Sequence, residues 1–498
     1  MTSALAHYLD VAQRFHARDA SAPAWLKRVR AEGLAQLERQ GLPSNRDEAW
    51  KYTNLAPLVG GTFLPPGEAR GAGPLATAVE GTFVPPSEAR GASPVATAME
   101  GTLIPPGQAL VARGLATAVE GTFIPPGAGD LSAVVARLGL PGPRLVFVDG
   151  RLAPELSSLS GLPRGLTLKP LRDALREDGE TLEALVGQRA LASEHAFTAL
   201  NAALLEEGAL LRLAPGTLSE VPVQLLFLTR GDAPVLASPR ILVVAGESSE
   251  ATLVETYAGV GVGPGATFTN AVTEVTLGDN ASLHHYKLQA EADAAVHVGA
   301  LHVRQGRDSR FASHAFSFGG ALSRNEVHAA FAGEGGDATL NGLYVGRGTQ
   351  HLDNRTALDH AVPRCTSREL YKGVLDDKAR GTFHGLIRVR PDAQRTDSRQ
   401  QNRNLLLSES AQADARPQLE ILADDVKCAH GAAVGRLDAQ ALFYLRSRGI
   451  PQAEAERLLT QAFAREVVEA VPAGPVRERV EGLLALKLPG SARREVRA

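Results

Sequence analysis

The residue types best suited to metal chemistry lie together in the segment DDVKCAHG, residues 424–431. If this segment is a β-strand, Cys428 and His430 point to the same side, because alternate residues of a strand share a face. A thiolate beside an imidazole suits a soft transition metal such as iron, and the neighbouring Lys427 would favour the thiolate form. A buried thiol beside a hydrogen-bonded histidine would give the same pattern, so the segment alone leaves both interpretations open.

The chain contains two cysteines, Cys365 and Cys428. A cluster held by one protein usually needs four ligands, mostly thiolates. Any metal or cluster bound here must therefore be shared with a partner, or be absent. The sequence has no His-Glu-x-x-His motif, no Cys-x-x-Cys motif and no Gly-x-x-x-x-Gly-Lys-Ser/Thr loop. We therefore do not expect the chain to hydrolyse nucleotides by the route that this loop serves.

The other histidines and the acidic pairs predict no catalytic residue. His284 and His285 are adjacent and would point to opposite faces of a strand, which makes them poor co-ligands. A carbohydrate-cleaving enzyme built on a β-helix needs clustered acids, but the pairs Asp376-Asp377 and Asp424-Asp425 are typical of turns. The remaining histidines of the β-rich region are interpreted as structural: His297, His302, His314, His328 and His351.

Composition and charge exclude several classes of protein. The 498 residues are enough for two or three domains, and 44% of them are apolar. The 52 basic and 55 acidic side chains give a net charge of −3, without the basic excess of a nucleic-acid binder. No signal peptide is visible after Met1, and no apolar run approaches the length of a membrane span. We expect a cytoplasmic protein that binds neither nucleic acid nor a membrane.

The first part of the chain divides into three regions. Residues 1–59 predict helices from their apolar spacing. Residues 60–130 hold four copies of a 20-residue unit, and each copy carries a Pro-Pro pair. Proline stiffens the chain toward polyproline II, so we expect this region to be extended or partly disordered. Residues 131–209 predict a mixed, mainly helical region.

The second part predicts a mainly β fold followed by helices. In residues 210–437, short runs rich in Val, Thr and Phe alternate with turns of Gly, Asp and Asn. Turns followed by a strand recur at about 30-residue spacing, which favours the coils of a β-solenoid over a β-sandwich. Residues 438–498 predict a C-terminal helical domain, in which Gly449 ends one helix and Pro451 begins the next.

Two segments resemble the SufB/SufD family of iron–sulfur cluster assembly proteins. Residues 417–450, PQLEILADDVKCAHGAAVGRLDAQALFYLRSRGI, are similar to the family's C-terminal signature, and residues 46–53, RDEAWKYT, to its N-terminal motif. The resemblance implies a central right-handed parallel β-helix (β-solenoid) flanked by N-terminal and C-terminal helical regions. It also implies a non-catalytic scaffold that pairs with SufB through the β-helices and binds the SufC ATPase through the C-terminal helices.

The resemblance also implies ligands. The family's cluster-site histidine corresponds to His430 and its interface cysteine to Cys428, so a transient iron–sulfur (Fe-S) cluster shared with SufB is implied. FAD is associated with this system in some cases, but no residue of this sequence can be matched to it. Whether the isolated chain is a monomer or a homodimer stays open.

Within the family, the sequence favours the SufD type over the SufB paralogue. Gly431 follows His430, where SufB has His-Glu, and the extra cysteines of SufB are absent between Cys365 and Cys428. A further hypothesis keeps the architecture but makes the chain a purely structural partner of SufB and SufC, with no cluster ligand of its own.

Overall fold

The computed structural model describes residues 3–19, 21–68, 130–186, 195–260, 266–472 and 474–488. Its helices are α1 (Ser3–Arg18), α2 (Ala24–Gln40), α3 (Ala56–Val59), α4 (Leu131–Leu138), α5 (Leu171–Glu177), α6 (Gly179–Glu183), α7 (Ala196–Ala203), α8 (Ala439–Ser447), α9 (Gln452–Glu469) and α10 (Pro475–Lys487). Its strands are β1 (Arg144–Val148), β2 (Arg151–Leu152), β3 (Leu166–Pro170), β4 (Gly208–Leu213), β5 (Val223–Thr229), β6 (Leu236–Ala237), β7 (Arg240–Ala245), β8 (Glu250–Gly259), β9 (Phe268–Leu277), β10 (Ser282–Ala290), β11 (Val296–Gln305), β12 (Arg310–Ser317), β13 (Leu322–Phe331), β14 (Asp337–Gly346), β15 (His351–His360), β16 (Thr366–Leu375), β17 (Arg380–Val389), β18 (Asp397–Leu406), β19 (Gln412–Ile421) and β20 (Lys427–Gly435).

The strands form two long sheets. The first sheet runs β2-β1-β5-β8-β10-β12-β14-β16-β18-β20, and the second runs β19-β17-β15-β13-β11-β9-β7-β4-β3, with β6 beside β9. The pairs β1–β2 and β3–β4 are antiparallel, and the ladders from β7 and β8 onward are parallel. From β7 to β20, consecutive strands lie in opposite sheets, so each coil gives one strand to each sheet. This confirms the predicted β-solenoid, with helices before it and after it in the chain.

The coils are nearly constant in length. In the first sheet, β10, β12, β14, β16, β18 and β20 begin 27 to 31 residues apart, which confirms the period read from the sequence. Asn280, Asp308 and Asp377 adopt left-handed backbone at the corners, with φ of 55°, 54° and 53°. Asn and Asp tolerate this conformation better than most residues, so their recurrence helps to set the turns.

Successive side chains of each strand point alternately into the solenoid and away from it, so one set fills the interior and the other lies on the outer faces. The interior cluster joins first-sheet and second-sheet residues such as Leu283, Phe311, Leu340, Val275, Phe331 and Phe383. Helices α1, α2 and α7 cover the outer face of the second sheet, where Tyr8, Leu37 and Phe197 share a core with outward residues such as Phe268 and Leu322. On the outer face of the first sheet, α9 and α10 supply Val467, Val468 and Leu484 to a core that includes Phe316 and Leu343.

One part of the chain extends the sequence-based division, and another lies mostly outside the described residues. The parallel ladder reaches back to β1, ahead of residue 210, because β1 pairs in parallel with β5. The repeat region lies mostly outside the described residues, which include only its first copy as far as Glu68. In that copy Phe63 is buried, and Leu64 forms a parallel bridge to Val235.

Trp50 joins the N-terminal motif to the second sheet. Its buried indole lies under the guanidinium of Arg324 on β13, with Arg324 Cζ 3.6 Å from the ring centroid, and packs against Phe197 of α7. Three residues later, Thr53 Oγ1 donates a hydrogen bond to Asp353 Oδ2 on β15 at 2.6 Å. Arg324 in turn pairs with the same Asp353 carboxylate. A short polar motif thus supplies both an aromatic anchor and a hydrogen bond to a buried ion pair.

Beneath the last coils, the interior contains a buried carboxyl group. Glu369 on β16 lies beside Gln400 on β18, which lies beside His430 on β20. Gln400 Nε2 donates to Glu369 Oε2 at 2.5 Å, and burial raises the pKa of Glu369 from its ordinary 4.5 to about 7. Because the ionised form is disfavoured by burial, the proton is held more tightly in the folded chain than in the unfolded one.

We predict that Trp50→Ala will lower the free energy of unfolding by about 3–5 kcal/mol, because it removes a buried aromatic side chain and a cation–π contact. Urea unfolding followed by circular dichroism measures this. Tyr52→Ala is the matched control, since Tyr52 is only half-buried. This variant should lower the free energy of unfolding clearly less than Trp50→Ala does. Equal losses in the two variants would contradict the anchoring role of Trp50.

We predict that Glu369→Gln will change the pH dependence of stability. Between the unfolded pKa of 4.5 and the folded pKa of about 7, only the folded state keeps the proton, so wild-type stability should fall as pH rises through this window. The variant cannot ionise there. It should match wild type near pH 5 and exceed it by about 1–3 kcal/mol near pH 8. Urea unfolding at both pH values measures the difference, and a constant difference would contradict a raised pKa.

Candidate metal centre

The strand that carries Cys428 and His430 is the last member of the first sheet. β20 pairs with β18 on one side, and within the described residues no strand pairs with its other edge. β19 holds the equivalent end position in the second sheet. The solenoid therefore ends in two adjacent edge strands whose outer backbone groups are free to pair. Such an edge is a template for another chain unless it is covered.

Cys428 and His430 share one face of β20, as the alternate spacing predicts. The register places Cys428 beside Ser398 and His430 beside Gln400, both of which are buried on β18. Cys428 is half-buried and packs against the interior core of the solenoid, whereas His430 is exposed. The pair therefore lies at the rim of the interior, with the thiol directed into the last coil and the imidazole in contact with solvent.

The thiol of Cys428 is not activated by its surroundings in the isolated chain. Burial raises its pKa above the ordinary 9.0, and a backbone hydrogen bond from Ser398 acts in the opposite direction. The expectation that Lys427 would favour the thiolate is therefore wrong here, because Lys427 is exposed and lies on the other face of the strand. A metal that binds Sγ must displace the thiol proton, so binding at this atom would strengthen with pH.

Several large apolar side chains are exposed near β20, at the C-terminal end of the solenoid and on the helix after it. Leu422, directly after β19, is 64% exposed, and Val434 on β20 is 49% exposed. On α8, Phe443 is 73% and Tyr444 57% exposed, and no residue of this helix is buried. Large apolar side chains grouped along one stretch in this way are typical of surfaces that a partner covers.

The other candidates from the sequence lie in structural positions. His285 is buried and contacts Glu255 Oε1 through Nε2 at 3.2 Å, while His284 is half-buried on the opposite face. Cys365 is fully buried, and burial raises the pKa of its thiol. The two acidic pairs lie between strands, as predicted for turns. They form no paired-acid centre with each other.

One group of potential ligands was not recognisable from the sequence. His195, immediately before α7, lies near Glu326 and His328 of β13, and the three ligand atoms lie within 4.8 Å of one another. The only local signal is that Glu326 and His328 are alternate residues of one strand. His195 approaches them only because α7 packs on the second sheet, and the interpretation of His328 as structural took no account of that packing.

In the part of the chain that the structure describes, none of the helices is both long and apolar enough to span a bilayer.

The sequence is similar to known iron–sulfur cluster assembly proteins. The domain described as "SUF system FeS cluster assembly, SufBD core domain" matches residues 227–463. SufD of Escherichia coli is 31% identical over 467 residues, which cover 92% of each chain. SufD of Bacillus subtilis is 32% identical over 351 residues, 69% of this chain and 79% of that protein. An iron–sulfur cluster assembly SufBD family protein of Synechocystis is 32% identical over 344 residues, 68% of this chain and 76% of that protein. The chain therefore belongs to the SufBD family of iron–sulfur cluster assembly proteins, and within that family it is of the SufD type.

Proposed function

We propose that this chain is a non-catalytic scaffold subunit that pairs with a SufB-type protein, binds a SufC-type ATPase, and helps to build and deliver iron–sulfur clusters in the cytoplasm. The observation that carries the proposal is the terminal strand β20, whose outer edge pairs with no other strand of the described residues and which presents Cys428 and His430 on one face. Family membership supports the role in cluster assembly. The arrangement of the last coil supports the partners and the ligands.

Pairing with a second solenoid would complete the ladder. The free edges of β19 and β20 offer backbone donors and acceptors in the geometry of a β-strand, and the exposed Leu422 and Val434 would be covered by a partner. A SufB-type partner is the expected occupant. A second copy of this chain could use the same edges when no partner is present, which would give a homodimer in isolation.

The ligand set favours a shared site. His430 and Cys428 supply one imidazole and one thiol, which is fewer than the four ligands that a cluster usually takes. A partner strand laid beside β20 would bring its own side chains to the same face, because strands in a sheet lie about 4.8 Å apart. The nascent cluster would then be the cargo of the interface and not a resident cofactor of this chain. FAD is assigned no residue in this proposal.

The C-terminal helices divide into an anchored part and a free part. α9 and α10 are fixed to the outer face of the first sheet by Val467, Val468 and Leu484. α8 buries none of its residues and begins four residues after β20 ends. An ATPase that binds α8 would therefore pull directly on the strand that carries His430. Nucleotide-driven closure of the ATPase could open the interface in this way, since a ligand shifts a conformational equilibrium by its differential affinity for the two states.

We predict that His430→Ala will abolish most cluster assembly without preventing complex formation, because the exposed imidazole does not support the fold. The chain would be co-expressed with SufB and SufC and isolated without air. Iron content and the ultraviolet–visible spectrum would be recorded for wild type and variant. His284→Ala, a half-buried histidine on the same sheet, is the control and should assemble clusters as wild type does.

The same experiment separates the competing hypotheses. An unchanged cluster in His430→Ala would remove His430 as a ligand, and an unchanged cluster in Cys428→Ser/His430→Ala would show that the chain is a purely structural partner with no ligand of its own. Failure of the wild-type chain to associate with SufB would overturn the pairing.

We predict that Phe443→Glu will reduce recovery of the SufC-type ATPase about tenfold or more while pairing with SufB continues, because a charge placed in the centre of an apolar contact is strongly unfavourable. Co-purification from a three-protein expression measures both associations. Leu218→Glu, which alters a leucine 65% exposed near the N-terminal end of the solenoid, is the matched control. If Phe443→Glu recovers as much of the ATPase as wild type does, the ATPase binds elsewhere than α8.

A further inference from the structure

A group of three histidines and one glutamate lies on the outer face of the second sheet. His302 on β11 and His328 on β13 are paired in register, Glu326 lies two residues before His328, and His195 precedes α7, which packs over these strands. We call these four residues the histidine cluster. It lies on the opposite sheet from Cys428 and His430, and nothing in the proposed function uses it.

The separations within the cluster fit a bound ion better than they fit hydrogen bonds. Glu326 Oε2 lies 3.8 Å from His195 Nε2 and 3.7 Å from His328 Nε2. Both distances exceed the range of a hydrogen bond. Two ligands on one metal ion with bonds of about 2.1 Å lie about 3.0–3.5 Å apart. Small side-chain shifts would therefore bring all three atoms into coordination distance of a common point.

Two ring nitrogens of the cluster are buried without a partner. Within the described chain, His328 Nε2 and His302 Nε2 make no hydrogen bond and are shielded from solvent. His302 is 4% exposed, and its ring stacks on that of His328 with centroids 5.0 Å apart. Leaving a buried polar atom without a hydrogen-bond partner is unfavourable, because the atom has lost its contact with water. A metal ion would use the lone pair of the His328 nitrogen and remove one of these costs.

The carboxylate is held in position for such a role. Arg324 Nε donates to Glu326 Oε1 at 2.6 Å, which leaves Oε2 directed toward the two imidazoles. Arg324 also pairs with Asp353. Orientation of a ligating carboxylate by a hydrogen-bonded neighbour is usual at metal sites. The guanidinium of Arg355 interacts with the Glu326 charge as well, so it should weaken the binding of a cation.

We propose that His195, Glu326 and His328 bind one divalent transition-metal ion, such as Zn²⁺, Fe²⁺ or Co²⁺, with His302 stacked behind the site. Two imidazoles and one carboxylate form a donor set that these ions accept and that Ca²⁺ and Mg²⁺ disfavour. His195 and His328 are 25% and 32% exposed, so the site can be reached from solvent. The ion would link α7 to β13 and stabilise the helical layer on the second sheet.

The test uses the full-length chain carrying Cys428→Ser and His430→Ala, so that the terminal strand cannot contribute ligands. After treatment with EDTA, the protein is titrated with Co²⁺, and its visible d–d absorption and thermal unfolding are followed. We expect one Co²⁺ per chain, an increase in Tm, and competition by Zn²⁺. In this background His195→Ala and His328→Ala should each weaken binding about tenfold or more, whereas His284→Ala should not.

Either of two results would overturn the proposal: no stoichiometric Co²⁺ binding in this background, or unchanged binding when His195 and His328 are both replaced. His195→Ala is the deciding variant if His328→Ala unfolds, because His195 lies at the edge of a helix and is partly exposed. Circular dichroism without metal establishes that each variant is folded. Since the terminal ligands are already removed, neither result bears on cluster assembly at β20.

Discussion

The parallel backbone ladder is the interaction on which the rest of this structure depends. Each coil satisfies its backbone groups only by pairing with the coil before and the coil after it, so the stack is stable in its middle and incomplete at its ends. At the N-terminal end, the antiparallel strands β2 and β3 close the two sheets. At the C-terminal end, β19 and β20 have no such closure within the described residues. The site that we propose for cluster assembly lies where the ladder stops.

The ladder also explains why so many polar groups are buried. A two-sheeted solenoid has a narrow interior and two outer faces that helices cover, so charged residues on the strands must find partners within the protein. Arg240 and Glu274 form one fully buried pair, and Arg324 joins Glu326 and Asp353 in another. Removing one member of such a pair is costly, because the other is left buried and uncompensated. The N-terminal motif depends on this network through Trp50 and Thr53.

The two groups of metal-ligand residues differ in how they are built. Cys428 and His430 come from one strand, and in the proposed function side chains from another protein complete their site. The histidine cluster draws its members from β11, β13 and the residue before α7, and Arg324 already orients its carboxylate. The proposed intermolecular site would be opened by moving α8, which has no buried residue and packs mainly on α9. An intramolecular site can open only if α7 leaves the second sheet.

The sequence by itself determined the features that rest on local pattern. The coil length, the turn at Asp377, the end of a helix at Gly449, and the shared face of Cys428 and His430 all follow from spacing and residue type. The tertiary structure alone decided which strand edge stays open, that burial raises the pKa of the Cys428 thiol, and that His195 meets Glu326 and His328. These outcomes depend on contacts between residues far apart in the chain, and no local pattern encodes the desolvation or the helix packing that produces them.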